Sequence, residues 1–226
     1  MVETFIGAGG WSYFDSGKRD RLSAYAERFN FVEVNSTFYD IPRPSTVRSW
    51  RRVPRGIAFS LKCHYSATHV NELRPVDETF KTLRIMGEIC RLLGAHFLVI
   101  QTPSWIEYDE AKMRDLRNLF SSIDLGTSIA WEARTPGDKP IPEVLLRLME
   151  DLDITVVNDL SRDEPMRGSS VLYSRLFSMP SQVEYEEETL ETIHSRVEKA
   201  GPAKAYLAFH GVRMYRDAEN YRRLYG

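Results

Sequence analysis

VDETFKTLRIMGEICRLLGAHFLVIQT (76–102) reads as a helix followed at once by a short buried strand. Val76, Phe80, Leu83 and Cys90 recur at helical spacing, and Gly94 stands just past the segment, where a left-handed cap closes a helix. FLVIQT (97–102) then runs apolar and β-branched to a polar end. AFSLKC (58–63) upstream is a second such run, so 58–102 has the form of a βαβ unit.

Outward from this unit the same pattern repeats. Strand-like runs fall at 4–8 (TFIGA), 31–36 (FVEVNS), 128–133 (SIAWEA), 155–160 (TVVNDL), 171–177 (VLYSRLF) and 204–210 (KAYLAFH), which makes eight in all. Helical spacing separates most of them: Leu22, Tyr25, Ala26 and Phe29; Met113, Leu116, Leu119 and Phe120; Leu190, Ile193 and Val197. Asp109 suits a helix N-cap, Pro142 a first turn and Gly201 a C-terminal cap. Residues 161–170 (SRDEPMRGSS) are too short and polar for a full helix, which leaves a loop as the sixth crossover. No linker interrupts the alternation. The expected architecture is a single domain over 1–226, an α/β (β/α)8 TIM barrel whose sixth crossover helix is short or absent. A doubly wound open sheet is the alternative, but no GxGxxG or GxxxxGK[ST] loop favours it.

Composition bounds the function. With 226 residues, 42% hydrophobic and 27% charged, the chain can bury one sizeable core, which excludes disorder and a disulfide scaffold. Thirty basic against 32 acidic residues leave a formal charge of −2, so the totals announce neither a nucleic-acid nor an anionic-membrane binder. Cys63 and Cys90 both fall in apolar patterns and read as buried free thiols. Glu3 stands where a signal peptide would carry basic residues, and no stretch approaches 18 apolar residues; a cytoplasmic protein with no membrane partner is expected.

Polar residues keep one parity within their strands. Glu33 and Asn35 oppose Val32 and Val34; Ser60, Lys62 and His64 oppose Phe59, Leu61 and Cys63; Glu132 and Arg134 oppose Trp131. Asn35, Lys62, Gln101, Arg134, Asp159, Arg175 and His210 are each last or nearly last in a strand. In a barrel that position is the C-terminal rim, where barrel enzymes keep their chemistry. Capping and loop salt bridges are the competing explanation for any one of them.

NSTFYDIPRP (35–44), together with GGWSY (9–13), AFSLKCHYSATH (58–69), FLVIQTPSW (97–105) and WEAR (131–134), resembles the YecE-like family, a domain of unknown function. The resemblance spans almost the whole chain and implies a TIM barrel without supplying an activity. Position by position it points to Glu33, Asn35, Tyr39, Lys62, His69, Gln101, Glu132 and Arg134, and less specifically to Asp159 and Arg175. Two departures stand out. The family's usual Arg-Leu-His-Gly is here Arg175, Leu176, Phe177 and Ser178, and its asparagine pair after the last strand is His210 and Gly211.

Three carboxylates (Glu33, Glu132, Asp159) thus face three cations (Lys62, Arg134, Arg175). Either they neutralise one another in a rigid ion network, or the cations clamp a phosphate or carboxylate while a carboxylate transfers a proton. On the second reading the carboxylates are catalytic, and Asn35, Tyr39, Lys62, His69, Gln101, Arg134, Arg175 and His210 bind substrate. This favours a hydrolase- or isomerase-type enzyme acting on a small anionic substrate. No HExxH or other metal spacing occurs, and Arg134 would compete with a metal for Glu132, so a divalent metal is left open as a cofactor but not favoured. No GxSxG motif supports covalent catalysis. Two other functions remain. One is a metal-assisted phosphodiesterase using the basic clusters Arg48, Arg51, Arg52, Arg55 and Arg213, Arg216, Arg222, Arg223 on nucleic acid; the other is a non-catalytic anion or sugar-phosphate binder.

Overall fold

A computed structural model describes residues 2–17, 19–53, 56–166, 169–178 and 184–226. Its strands are β1 (Glu3–Ala8), β2 (Phe31–Val34), β3 (Ala58–Lys62), β4 (Phe97–Thr102), β5 (Ser128–Ala133), β6 (Thr155–Asn158), β7 (Val171–Leu176) and β8 (Lys204–Phe209). They follow one another in chain order as a closed barrel, and β8 pairs in parallel with β1 from Glu3↔Lys204 to Ala8↔Phe209. The helices are α1 (Arg21–Ala26), α2 (Pro44–Arg51), α3 (Asp77–Leu93), α4 (Glu110–Ser121), α5 (Glu143–Asp151), α6 (Glu187–Ala200) and α7 (Met214–Tyr225). Among the described residues no helix lies between β6 and β7, as the polar run 161–170 predicts; residues 167 and 168 of that run lie outside the description. No described helix is long and apolar enough to cross a membrane.

Two details of the expectation change. Strands β2 and β6 end two residues early, and β3, β7 and β8 one residue early. After β2 the cause is visible: Asn35–Phe38 form a 3-10 turn, and the Thr37 hydroxyl bonds the carbonyls of Val34 and Lys62 at 2.8 and 2.7 Å, capping two strand ends. Val76 is the N-cap of α3 and is exposed, while the buried stripe of that helix runs through Thr79, Leu83, Met86 and Cys90. Gly94 closes α3 at φ 75° and Gly201 closes α6 at φ 58°, as the pattern requires, and the Asp109 carboxylate caps α4 through the Lys112 amide.

The contacts of the chain gather into two compact units, residues 1–33, 52–58 and 157–226 in the first and 34–51 and 59–156 in the second. The first unit is centred on aromatic rings. Tyr206 of β8 stacks on Phe5 at 4.5 Å and on Tyr173 at 5.9 Å, and Phe31 meets Tyr206 and Tyr173 edge-on at 5.4 and 6.0 Å. The Tyr25 hydroxyl staples β1 to β2, accepting from the Ala8 amide and donating to the Phe31 carbonyl. Gly7 makes that approach possible, because a Cβ there would overlap the Phe31 carbonyl. In the second unit, buried Leu61, Leu98 and Ile100 of the strands and Leu116, Leu119 and Leu148 of the helices form an aliphatic core, and Trp131 packs on Phe120 of α4 at 5.5 Å. That contact fixes the face of β5: Trp131 looks to the helix layer, so Glu132 takes the other side.

Candidate functional site

The sequence-predicted residues divide between the two units, and each group has its own character.

In the first unit, β2 and β7 continue the ring layer upward by two residues each. Phe31 meets Tyr173, and two positions on, Glu33 meets Arg175. Glu33 is 0% exposed and Arg175 2%. Arg175 Nε and Nη2 both lie 3.0 Å from Glu33 Oε1, the Tyr173 hydroxyl donates to Oε2 at 2.8 Å, and His210 Nε2 stands 3.3 Å from Oε1. Burial alone would push the Glu33 carboxyl up, but Arg175 and His210 beside it, with the Tyr173 hydrogen bond, hold it well below the usual carboxylate range. Phe177 stacks on His210 at 4.8 Å and lies 5.1 Å from the Arg175 guanidinium, so the residue that departs from the family pattern fills the cluster's edge. Asp159 follows β6 and accepts from the Ser161 hydroxyl, the Ser161 amide and the Phe177 amide at 2.6, 3.0 and 3.1 Å; burial outweighs these donors and raises its carboxyl above the ordinary value. Tyr173 was not among the expected residues, although its place two before Arg175 on one strand face could have pointed to it.

In the second unit, register partners Gln101 and Glu132 meet across β4 and β5, the amide donating to Oε1 at 2.8 Å. Arg134 Nε donates to the same oxygen at 2.7 Å, with its side chain 48% exposed against 15% for Glu132. Lys62, the last residue of β3, sets its ammonium 4.2 Å from the Phe38 ring. Phe38 in turn contacts Tyr39, Tyr65 and His69 at 5.0, 6.0 and 5.0 Å, and His69 meets Trp105 at 6.1 Å. The His69 imidazole is held below its usual pKa first by burial and then by Lys62 and Arg134, which are both positive. Thr68 Oγ1 lies 2.8 Å from His69 Nδ1. His69 belongs to a π-helical turn, Ser66–Val70, followed by Glu72 and Leu73 at φ 52° and 56°, a left-handed pair that costs energy without glycine. Asn35 opens the 3-10 turn after β2, and exposed Tyr39 follows that turn. Phe38 and Trp105 are functional candidates that strand-end reasoning passes over, because both lie in turns beyond the strands.

Several expected features do not join these groups. A groove of about 490 Å³ between α4 and α5 holds none of the predicted residues, and its charges are already matched, with Arg117 on Asp151 at 2.8 Å and Arg147 on Glu143. In the basic clusters, Arg51 bonds the Leu92 carbonyl, Arg216 pairs with Glu184 and Arg222 bonds the Arg28 carbonyl; Arg55 lies outside the described residues. Burial pushes the Cys63 and Cys90 thiols up to about 12, so neither is poised as a thiolate. Among the described residues no three His, Cys, Asp or Glu side chains gather where they could hold a metal ion.

Comparison with solved structures finds the same fold elsewhere. A DUF72 family protein from Enterococcus faecalis superposes with a TM-score of 0.74 at 15% identity, covering 99% of this chain and 98% of that one. A D-tagatose 3-epimerase-like protein gives 0.64 at 13% identity, with 97% and 95% covered. The 3-keto-D-glucoside 4-epimerase of E. coli gives 0.64 at 8% identity, with 99% and 100% covered. No curated protein matches the chain. The sequence profile of DUF72, described as a protein of unknown function, matches residues 5–226, and the chain belongs to that family.

Proposed function

We propose that the second unit binds a small anionic sugar-like substrate, carrying phosphate or carboxylate, and performs acid–base chemistry of the isomerase type on it. The observation that carries this reading is the placing of the cations: Arg134, paired with Glu132 at 2.7 Å, keeps its side chain 48% exposed, the Lys62 ammonium lies over the Phe38 ring that His69 touches, and both cations add to burial in lowering the His69 pKa. Two cations beside one partly buried ring attract an anion. Arg134 offers a planar fork and Lys62 a point charge to the anionic group. Glu132, oriented by Gln101, is the proton-transfer group, and neutral His69 is a hydrogen-bond partner for the substrate. The sugar class draws on the two epimerase-type neighbours named above, whose fold this chain shares.

The first unit's predicted residues take a different role in this reading. Glu33 and Arg175 neutralise each other out of solvent and hold β2 against β7, with Tyr173 and His210 completing the network.

His69 reports on the proposal directly. Its imidazole resonances, followed by NMR across pH, should titrate at higher pH when inorganic phosphate is added, because the anion cancels the positive field that disfavours the charged ring. In Lys62→Met the titration should already lie higher, and phosphate should move it less. A His69 titration unmoved by phosphate or acetate at tens of millimolar would defeat the reading.

A further inference from the structure

Trp105 combines two properties that do not usually go together: the residue is 61% exposed, and its indole N–H is tied to another side chain. The indole Nε1 donates to Glu72 Oε1 at 2.9 Å. Glu72 is itself tied to α4, its carbonyl accepting from the Lys112 ammonium, and its backbone sits in the left-handed region. Leu73 anchors the same turn from below, with a fully buried side chain and an amide that donates to the Ala67 carbonyl at 2.8 Å. On the other side of Trp105, buried Ile106 ties the turn to the core. The turn thus spends conformational energy on presenting a large aromatic ring to water, in contact with His69 and through it with Phe38, on whose ring the Lys62 ammonium lies.

We infer that Trp105 is the platform on which the ring of the substrate lies, with Glu72 as its positioning residue. The inference rests on the anion reading above and extends it: the ligand has two parts, an anionic group for Lys62 and Arg134 and a sugar ring whose C–H face covers the indole. An indole fixed before binding loses little freedom on binding, so the contact adds affinity without an ordering cost. The exposed rings of Tyr39 and Tyr65, joined to this group through Phe38, border the same surface.

The test titrates a panel of pentose and hexose monophosphates against the intact protein, with inorganic phosphate as the bare anion. At least one sugar phosphate should bind about tenfold or more tightly than inorganic phosphate. Trp105→Ala should remove that excess and leave inorganic phosphate binding unchanged, Trp105→Phe should keep part of it, and Glu72→Ala should lose about threefold. Melting temperatures of the three variants, recorded alongside, show that each is folded. If inorganic phosphate binds but no sugar phosphate exceeds it, or if Trp105→Ala keeps the full excess, the platform is refuted while the anion site stands. If inorganic phosphate does not bind at all, the underlying anion reading fails instead.

Discussion

The Arg175–Glu33 and Arg134–Glu132 pairs join the same two functional groups at nearly the same distance, 3.0 and 2.7 Å, yet they sit in different solvent. Glu33 and Arg175 are 0% and 2% exposed, and Tyr173 and His210 stand beside the same carboxylate. Desolvation there makes each group depend on the other, so the pair fixes strands. Around Arg134 water still competes, so the pair adds little to stability. Burial, more than residue type, sets how far each member of an ion pair depends on the other.

The comparison breaks most visibly at Arg175. Arg175→Met leaves Glu33 buried without its cation and should cost about 3–5 kcal/mol in urea denaturation; adding Glu33→Leu to that variant should recover much of the loss. Acid should act on the same pair. A carboxyl held below its unfolded pKa contributes stability that is complete above about pH 5 and lost as pH falls further, and Arg175→Met should shrink this acid-sensitive part.

A second fully buried carboxylate sharpens the contrast. Asp217 of α7 is fully buried and accepts the Tyr185 amide at 2.9 Å, and burial pushes its carboxyl up to about 6 despite Arg213 and Arg216 nearby. Here the sign reverses: the folded state binds the proton more tightly than the unfolded one, so stability falls as pH rises from about 4 to about 6. Asp217→Asn keeps the acceptor for Tyr185 and should flatten that fall, gaining about 1–2 kcal/mol at pH 7 in thermal melts. A variant as pH-dependent as the wild type would remove Asp217 from this account.

The smallest stability effect belongs to Arg134. Arg134→Ala should change stability by under about 1 kcal/mol, yet weaken phosphate binding roughly tenfold, the worth of a charge-assisted contact. Arg134→Lys should restore only part of the affinity, because a point charge does not replace a fork. A large drop in melting temperature with unchanged affinity would move Arg134 into the same class as Arg175.

All eight strands were legible because a strand covered on both faces must be a short apolar run, as at FLVIQT, while helical spacing marks most of the segments between them. Their C-terminal ends were less legible. Asn35 continues the polar parity of β2, yet it starts a turn held by Thr37, a hydrogen bond that periodicity does not encode. The candidate residues were legible by parity, but their burial was not: Glu33 and Glu132 read alike until Tyr173, His210 and Arg175 are seen around the first. The left-handed Glu72 and Leu73 left no trace, since neither is a residue that favours that conformation. Trp105 was visible as a residue, although only its exposure and its bond to Glu72 give it a role.

The central claim is that Lys62 and Arg134 form an anion site, and a crystal soaked in inorganic phosphate addresses it without reference to any substrate. The account predicts phosphate density within hydrogen-bond distance of the Arg134 guanidinium and the Lys62 ammonium, with Arg175 still paired to Glu33. Ordered Lys62 and Arg134 side chains with no phosphate between them, or phosphate found instead on Arg175, would contradict it.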